Sequence, residues 1–243
     1  MPVLIALLLV ASILTSFASP ITKATTRWPR GQYGIPMDDT ISACPSNSGL
    51  YWQIGYRIQD TESIIVPLIG GNEWSSPCHL RGPYGKLYTQ LNYCMKDDTS
   101  NDPDYDWPSG EYCVYRKGSS CPTGFTEGWI QWDDEDGVDN SNEAHGSLPD
   151  GVYDKNTLMY FCCREDRAYD TPIDLPTVDP FFLFQKNRNY CQQVNGMNVA
   201  QEFFKWDGEN NLVDFKDYEG GMTPFNAGFD DDHKLYFCYY TPI

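Results

Sequence analysis

The sequence predicts an all-β fold: a disulfide-stabilised antiparallel β-sandwich-like domain with long loops and little helix. Runs rich in Tyr, Phe, Ile and Val alternate with Gly, Pro, Asn and Asp, which is typical of strands joined by turns. Helical periodicity is scarce, and the best helical candidate is the short run 199–206. A hydrophobic content of 41% and nine cysteines indicate a real core that disulfides reinforce.

Eight strands are predicted from these runs. In chain order they cover residues 51–58, 63–69, 86–95, 111–116, 128–132, 157–163, 181–185 and 234–240. Three of these runs contain the same short pattern, in which aromatic residues are followed by cysteine; the cysteines are Cys94, Cys162 with Cys163, and Cys238. Because successive side chains of a strand face opposite sides, the adjacent Cys162 and Cys163 are expected to bridge to different partners. A strained vicinal disulfide is the alternative.

The amino terminus predicts export. Residues 1–18 carry no charged side chain, and their apolar run is too short to span a bilayer but suits a signal peptide cleaved after Ala18. Residues 19–27 are predicted to be a short flexible segment, and residues 28–243 the folded domain. No second apolar stretch is long enough to cross a membrane. We therefore expect a secreted, extracellular protein without a membrane span.

The charge balance excludes some partners. With 17 basic and 34 acidic residues, the formal net charge is −17. Such a surface repels phosphate backbones and anionic lipid, so nucleic acid is not an expected partner. It attracts cations and tolerates neutral sugars, although solubility alone would also explain the charge.

Metal sites are predicted at one segment only. The absence of C-x-x-C and the scattered histidines argue against zinc. Residues 132–151 hold seven carboxylates and no Lys or Arg, and oxygen-rich turns of this kind suit calcium. The candidate calcium ligands are Asp133, Asp134, Asp136, Asp139 and Asn142. The alternative is a solvated turn with Asx caps.

Aromatic side chains beside polar residues are the candidates for ligand binding. Trp107, Trp129 and Asn140 lie where flat rings and amides alternate, an arrangement suited to a sugar, although large aromatics also fill β cores. The sequence contains no G-x-S-x-G, H-E-x-x-H, P-loop or G-x-G-x-x-G motif. No enzymatic activity is expected, and no cofactor other than calcium.

A set of ordered motifs resembles a known family, the C-terminal (ApeC) domain of the apextrins. The motifs extend from Trp28 to Tyr240, and the most specific are WDDED at 132–136, LPDGxY at 148–153 and FCCR at 161–164. The resemblance implies a secreted protein that recognises bacterial cell-wall glycan, peptidoglycan or its muramyl peptide, in innate defence. The alternative is an acidic extracellular matrix or coat protein that binds calcium or mediates adhesion.

The resemblance also implies which cysteines pair. The family pattern has eight, matched here by Cys44, Cys94, Cys113, Cys121, Cys162, Cys163, Cys191 and Cys238. Cys78 is the departure from that pattern, and it is expected to be either free or the bridge of a disulfide-linked dimer. The connectivity of the eight stays open, since eight cysteines allow about 105 pairings.

Overall fold

The computed structural model describes residues 27–46, 51–61, 70–134, 141–208, 218–228 and 232–243. These residues form thirteen β-strands and no α-helix. The strands are β1 Tyr33–Pro36, β2 Gln53–Asp60, β3 Glu73–Trp74, β4 Tyr88–Lys96, β5 Glu111–Arg116, β6 Thr126–Trp132, β7 Glu143–Gly146, β8 Gly151–Tyr153, β9 Thr157–Glu165, β10 Phe181–Gln185, β11 Met197–Trp206, β12 Tyr218–Gly221 and β13 His233–Pro242.

Seven of the eight predicted strands are present. Two of them, β5 and β10, begin and end at the predicted residues, and the predicted strand at 63–69 lies outside the described residues. The predicted signal peptide and residues 19–26 also lie outside them. No helix of the described chain is long and apolar enough to cross a membrane.

The helical candidate at 199–206 was wrong, because this run belongs to β11. Phe204 and Trp206 face the core, whereas Phe203 and Lys205, which each precede one of them, are less buried. This two-residue alternation is that of a strand. β11 also pairs with β13 over its whole length, from Met197 opposite Pro242 to Trp206 opposite His233.

All the named strands pair antiparallel within one connected sheet, in the order β3-β11-β13-β10-β5-β1-β4-β2-β7. β5 is the junction: one edge pairs with β10 and then β1, and the other edge pairs with β9. Beyond β9 the sheet continues to β8 and, through β6, to β12. The prediction of an all-β, antiparallel, disulfide-stabilised domain is confirmed.

Both faces of the central strands are buried. Cys113 and Tyr115 of β5 belong to a core that also receives side chains from β4, β6, β9, β10, β11 and β13. The alternate residues Tyr112 and Val114 face a second core, which Trp28, Trp107 and other loop side chains cover. This explains why β10, FFLFQ, has no polar alternation: every one of its residues is buried.

The disulfides hold the loops against the second core. The four bridges are Cys44–Cys94, Cys113–Cys163, Cys121–Cys162 and Cys191–Cys238. Three of them join a strand cysteine to a loop, and the fourth, Cys113–Cys163, links directly opposite residues of β5 and β9. Cys162 and Cys163 therefore have different partners, as predicted. Cys78 is free and half-buried, so the assignment of the eight paired cysteines is confirmed.

Candidate functional site

Asp134 of the WDDED motif lies in a buried polar network near one end of β2, β6 and β9. Arg57 Nη2 lies 2.9 Å from Asp134 Oδ2, and both side chains are 1% exposed. Gln59 Nε2 and Thr157 Oγ1 also donate to the Asp134 carboxylate. Trp206 Nε1 in turn donates to Gln59 Oε1 at 3.1 Å. The network thus joins three strands that are distant in sequence, β2, β9 and β11, to the loop that follows β6.

The ionisation of Asp134 reflects two opposing effects. Burial, the largest effect, raises the pKa of Asp134, and Arg57 and the hydrogen bonds from Thr157 and Gln59 lower it; the net pKa is about 6. Three donors on one carboxylate favour the ionised form near neutral pH. Asp134 is therefore a buried structural anion whose partner is Arg57.

This network anchors the turn between β8 and β9. Arg57 Nη2 donates to the carbonyl of Asp154 at 3.1 Å, and the backbone N–H of Asp134 donates to Asn156 Oδ1 at 3.2 Å. Asp154 Oδ1 accepts from the backbone N–H of Asn156. The turn is fixed from below by side chains that cannot move without breaking buried hydrogen bonds.

Above this network the outer face of four strands carries one row of side chains. Tyr218 of β12 is opposite Gln131 of β6, Gln131 is opposite Leu158 of β9, and Leu158 is opposite Val152 of β8. Residues directly opposite in a sheet point to the same face. We call these four residues the Tyr218 row; three spacings of about 4.8 Å make it roughly 14 Å long.

The Tyr218 row opens into a shallow cleft. Val152 and Leu158 form the apolar part of its lining, and Gln131, Asp154, Lys155 and Asn156 form the polar part, around a volume of about 290 Å³. Tyr218 and Val152 are 49% and 50% exposed. An exposed ring, an apolar floor and amides at the rim can bind the C–H face and the hydroxyls of a sugar.

Trp129 lies on the same face as the Tyr218 row, two residues before Gln131. It is half-buried and is paired with Gly220 on one side and Tyr160 on the other. A Cβ at Gly220 would lie 2.8 Å from the indole, so only glycine lets β12 pass this close. Arg116 covers the Tyr160 ring at 3.8 Å. Trp129 is thus next to the cleft and partly covered by β12.

Trp107 does not offer an exposed face, contrary to the expectation from its polar neighbours. It is 3% exposed and belongs to the second core. The rings of Tyr33, Tyr112 and Phe125 surround it, with centroids 4.8, 5.8 and 5.8 Å away. Aromatic packing under a disulfide-bonded loop decides its position.

The predicted calcium ligands are only partly described. Asp136, Asp139 and the glycan candidate Asn140 lie outside the described residues. Asp133 is buried, Asp134 is bound to Arg57, and Asn142 Oδ1 accepts from the backbone N–H of Asp60 at 2.8 Å. The described residues contain no cluster of three or more His, Cys, Asp or Glu that could hold a metal. Calcium binding stays a prediction.

Sequence reasoning missed all four residues of the Tyr218 row, of which Gln131, Val152 and Leu158 line the cleft. The period-two alternation of Gln131 and Leu158 with core residues was visible, and it places them outside. The alignment of four strands into one row depends on register, which no short motif encodes.

One comparison with known proteins identifies a family. A family model described as the C-terminal domain of apextrin matches residues 28–240. No curated protein and no solved structure matches the chain.

Proposed function

The chain belongs to the family of apextrin C-terminal (ApeC) domains, and from this premise we propose that it is a secreted recognition protein that binds bacterial cell-wall glycan. The ligand class is peptidoglycan or its muramyl peptide, bound without chemical change, in innate defence. The extracellular location is supported by four disulfides, which persist in oxidising compartments, and by the predicted signal peptide.

The observation that carries the proposal is the Tyr218 row. It offers an exposed tyrosine, an amide and two aliphatic side chains in register on one face. Its length suits several sugar units in line better than a single ring. The buried Arg57–Asp134 pair beneath it keeps the rim in place, so binding costs little conformational entropy.

Binding without hydrolysis is supported by the carboxylates of the cleft. Glycosidases commonly use two carboxyl groups that flank the bond to be broken. Among the described residues that line the cleft, Asp154 is the one carboxylate. The sequence also lacks the common hydrolase motifs.

Retention of the mature protein on insoluble peptidoglycan tests the proposal. We expect retention at physiological salt, similar with and without EDTA, and no release of soluble muropeptides. Sugar contacts depend little on counterions, so the salt sensitivity should be moderate.

Other results would favour other functions. No retention would contradict glycan recognition and favour the acidic matrix or coat protein, for which the net charge of −17 is the supporting feature. Release of muropeptides would instead indicate a hydrolase.

A further inference from the structure

A second groove lies on the outer face of β11 and β13, away from the Tyr218 row. Its lining residues are Arg188, Asn189, Gln201, Phe225, Ala227 and Tyr236, around a volume of about 300 Å³. Tyr236 is directly opposite Phe203 in the sheet, and the ring centroids of Phe225 and Tyr236 are 5.4 Å apart. The floor is therefore a group of half-buried aromatic rings.

The groove is basic in a strongly acidic protein. Arg188 is exposed at its rim, and Lys234 Nζ lies 3.9 Å from the centroid of Phe203 and 5.5 Å from that of Tyr236. No carboxylate of the described residues forms a salt bridge with Arg188 or Lys234. In a chain of net charge −17, two such cations beside one groove are unusual.

Nearby carboxylates are already engaged. Asp232, close to Lys234 in sequence, pairs with Lys205 at 2.6 Å, and Glu219 accepts from Asn226 Nδ2 at 3.0 Å. The amide of Asn226 leaves the charge of Glu219 in place, so the positive character of the groove depends on Arg188 and Lys234, which form no salt bridge with a described carboxylate.

The amides of the groove are arranged for hydrogen bonding. Gln201 Nε2 donates to Gln185 Oε1 at 2.6 Å, which fixes the Gln201 amide at the lining of the groove. The backbone N–H of Asn189 donates to Asn187 Oδ1, so the turn that carries Arg188 is closed locally. Fixed amides and a cation above aromatic rings form a polar site with a flat apolar floor.

We propose that this groove binds a sugar that bears a carboxylate, with its ring against Tyr236 and Phe225 and its carboxylate on Arg188 and Lys234. Arginine is suited to this task because its planar guanidinium can bind both oxygens of one carboxylate. This assignment is additional to the peptidoglycan contact proposed for the Tyr218 row, because an aromatic floor with two cations selects a sugar by its carboxylate. This second site does not depend on the proposed function of that row, and a chain with both sites joins two kinds of glycan.

Calorimetric titration of the mature protein tests this site. The acidic ligand is a tetrasaccharide of alternating glucuronic acid and N-acetylglucosamine, and the neutral one is the tetrasaccharide of N-acetylglucosamine. We expect the acidic ligand to bind about tenfold more tightly or better, since a hydrogen bond to a charged group contributes more than a neutral one. Its affinity should fall as salt rises.

The decisive variant is Arg188→Glu, with Arg167→Glu as the matched control, because Arg167 is also exposed and the charge change is equal. Arg188→Glu should abolish binding of the acidic ligand, and Arg167→Glu should leave it within about twofold, because Arg167 does not line the groove and exposed charges are screened by salt. Equal losses in the two variants would overturn the proposal, and so would equal affinity for the two tetrasaccharides in Tyr218→Ala, where the neutral ligand has lost the ring of the Tyr218 row.

Two further arms separate related explanations. An acetylated diglutamate peptide should bind far more weakly than the acidic sugar, and equal binding would show that the groove takes any carboxylate. Tyr218→Ala should keep its affinity for the acidic tetrasaccharide even if it loses retention on peptidoglycan. Loss of acidic-sugar binding in Tyr218→Ala would contradict a separate site.

Discussion

Arg57 of β2 and Asp134 of the loop after β6 form a buried ion pair, 2.9 Å apart and each 1% exposed. The two residues are 77 positions apart in sequence. The pair lies beneath the turn that carries Asp154 and Asn156. Asp134 belongs to an acidic run that the sequence suggested as a calcium site or a solvated turn, and in the structure it supports the cleft from within the protein.

The first prediction concerns this pair. Asp134→Ala should destabilise the domain by about 3–5 kcal/mol, because it leaves the buried Arg57 charge without its partner. Urea denaturation followed by tryptophan fluorescence measures the change. Asp104→Ala is the control, since Asp104 is fully exposed and its 3.5 Å contact with Arg30 is on the surface, and its midpoint should not move. A loss below about 1 kcal/mol for Asp134→Ala, the range of exposed pairs, would contradict a buried pair.

The sequence predicted strands whose own residues specify them, but it did not predict strands that depend on contacts with distant parts of the chain. β5 and β10 were located to the residue because uninterrupted aromatic and aliphatic runs belong to buried strands. β12 was missed because Glu219, Gly220 and Gly221 have low strand propensity, yet β12 supplies Tyr218. Its position follows from pairing with β6, which is a tertiary contact.

The candidate site shows the same limit. Trp129, a predicted ligand-binding residue, is half-buried in β6 next to the cleft, whereas Trp107, with a similar polar neighbourhood, is in the core. The difference comes from Phe125 and Tyr112, which close over Trp107. Local composition does not distinguish the two tryptophans, because burial depends on which loop a disulfide holds over each ring.

The second prediction tests the Tyr218 row. Tyr218→Ala should weaken retention on peptidoglycan about fivefold or more, since loss of an aromatic contact at a binding site commonly costs more than about 1 kcal/mol. Tyr51→Ala is the matched control, because Tyr51 is also an exposed tyrosine, at 84%, and is not part of the Tyr218 row. Equal retention of the two variants in the pull-down would exclude the row as the contact surface.

The third prediction concerns Cys78. Burial raises the pKa of its thiol, and the side chain packs against the first core. Native protein should therefore contain one thiol per chain that alkylates more slowly than free cysteine. Cys78→Ala and the parent should both migrate as monomers on a non-reducing gel. Mass spectrometry of alkylated protein and a non-reducing gel make these measurements. A covalent dimer that Cys78→Ala abolishes would instead establish the intermolecular bridge.

The fourth prediction concerns His233, whose ring joins β13 to the cleft strand β6. Its Nε2 lies 3.0 Å from the carbonyl of Gln131, and its Nδ1 lies 2.6 Å from Asn226 Nδ2. Asn226 Oδ1 accepts from the backbone N–H groups of Gly228 and Lys234, which fixes the amide with its NH₂ toward the histidine. Nδ1 must therefore accept, and Nε2–H donates to Gln131.

Protonation of His233 would place a second N–H against the NH₂ of Asn226. Burial, the main cause, lowers the pKa of His233 below its usual value near 6.5. The native state thus binds fewer protons than the unfolded chain. The stabilising contribution is complete above about pH 6.5 and is lost as pH falls through the lowered pKa.

The raised pKa of Asp134 contributes a slope of opposite sign in this range, so the test is the difference between two proteins. In urea denaturation between pH 7.5 and 5, the free energy of unfolding of the parent should fall relative to that of His233→Gln as the pH falls, whatever the stability of the variant at pH 7.5. His145→Gln serves as the control, because His145 is exposed, and it should keep the slope of the parent. If His233→Gln and the parent lose stability in parallel over this range, titration of His233 is not the cause.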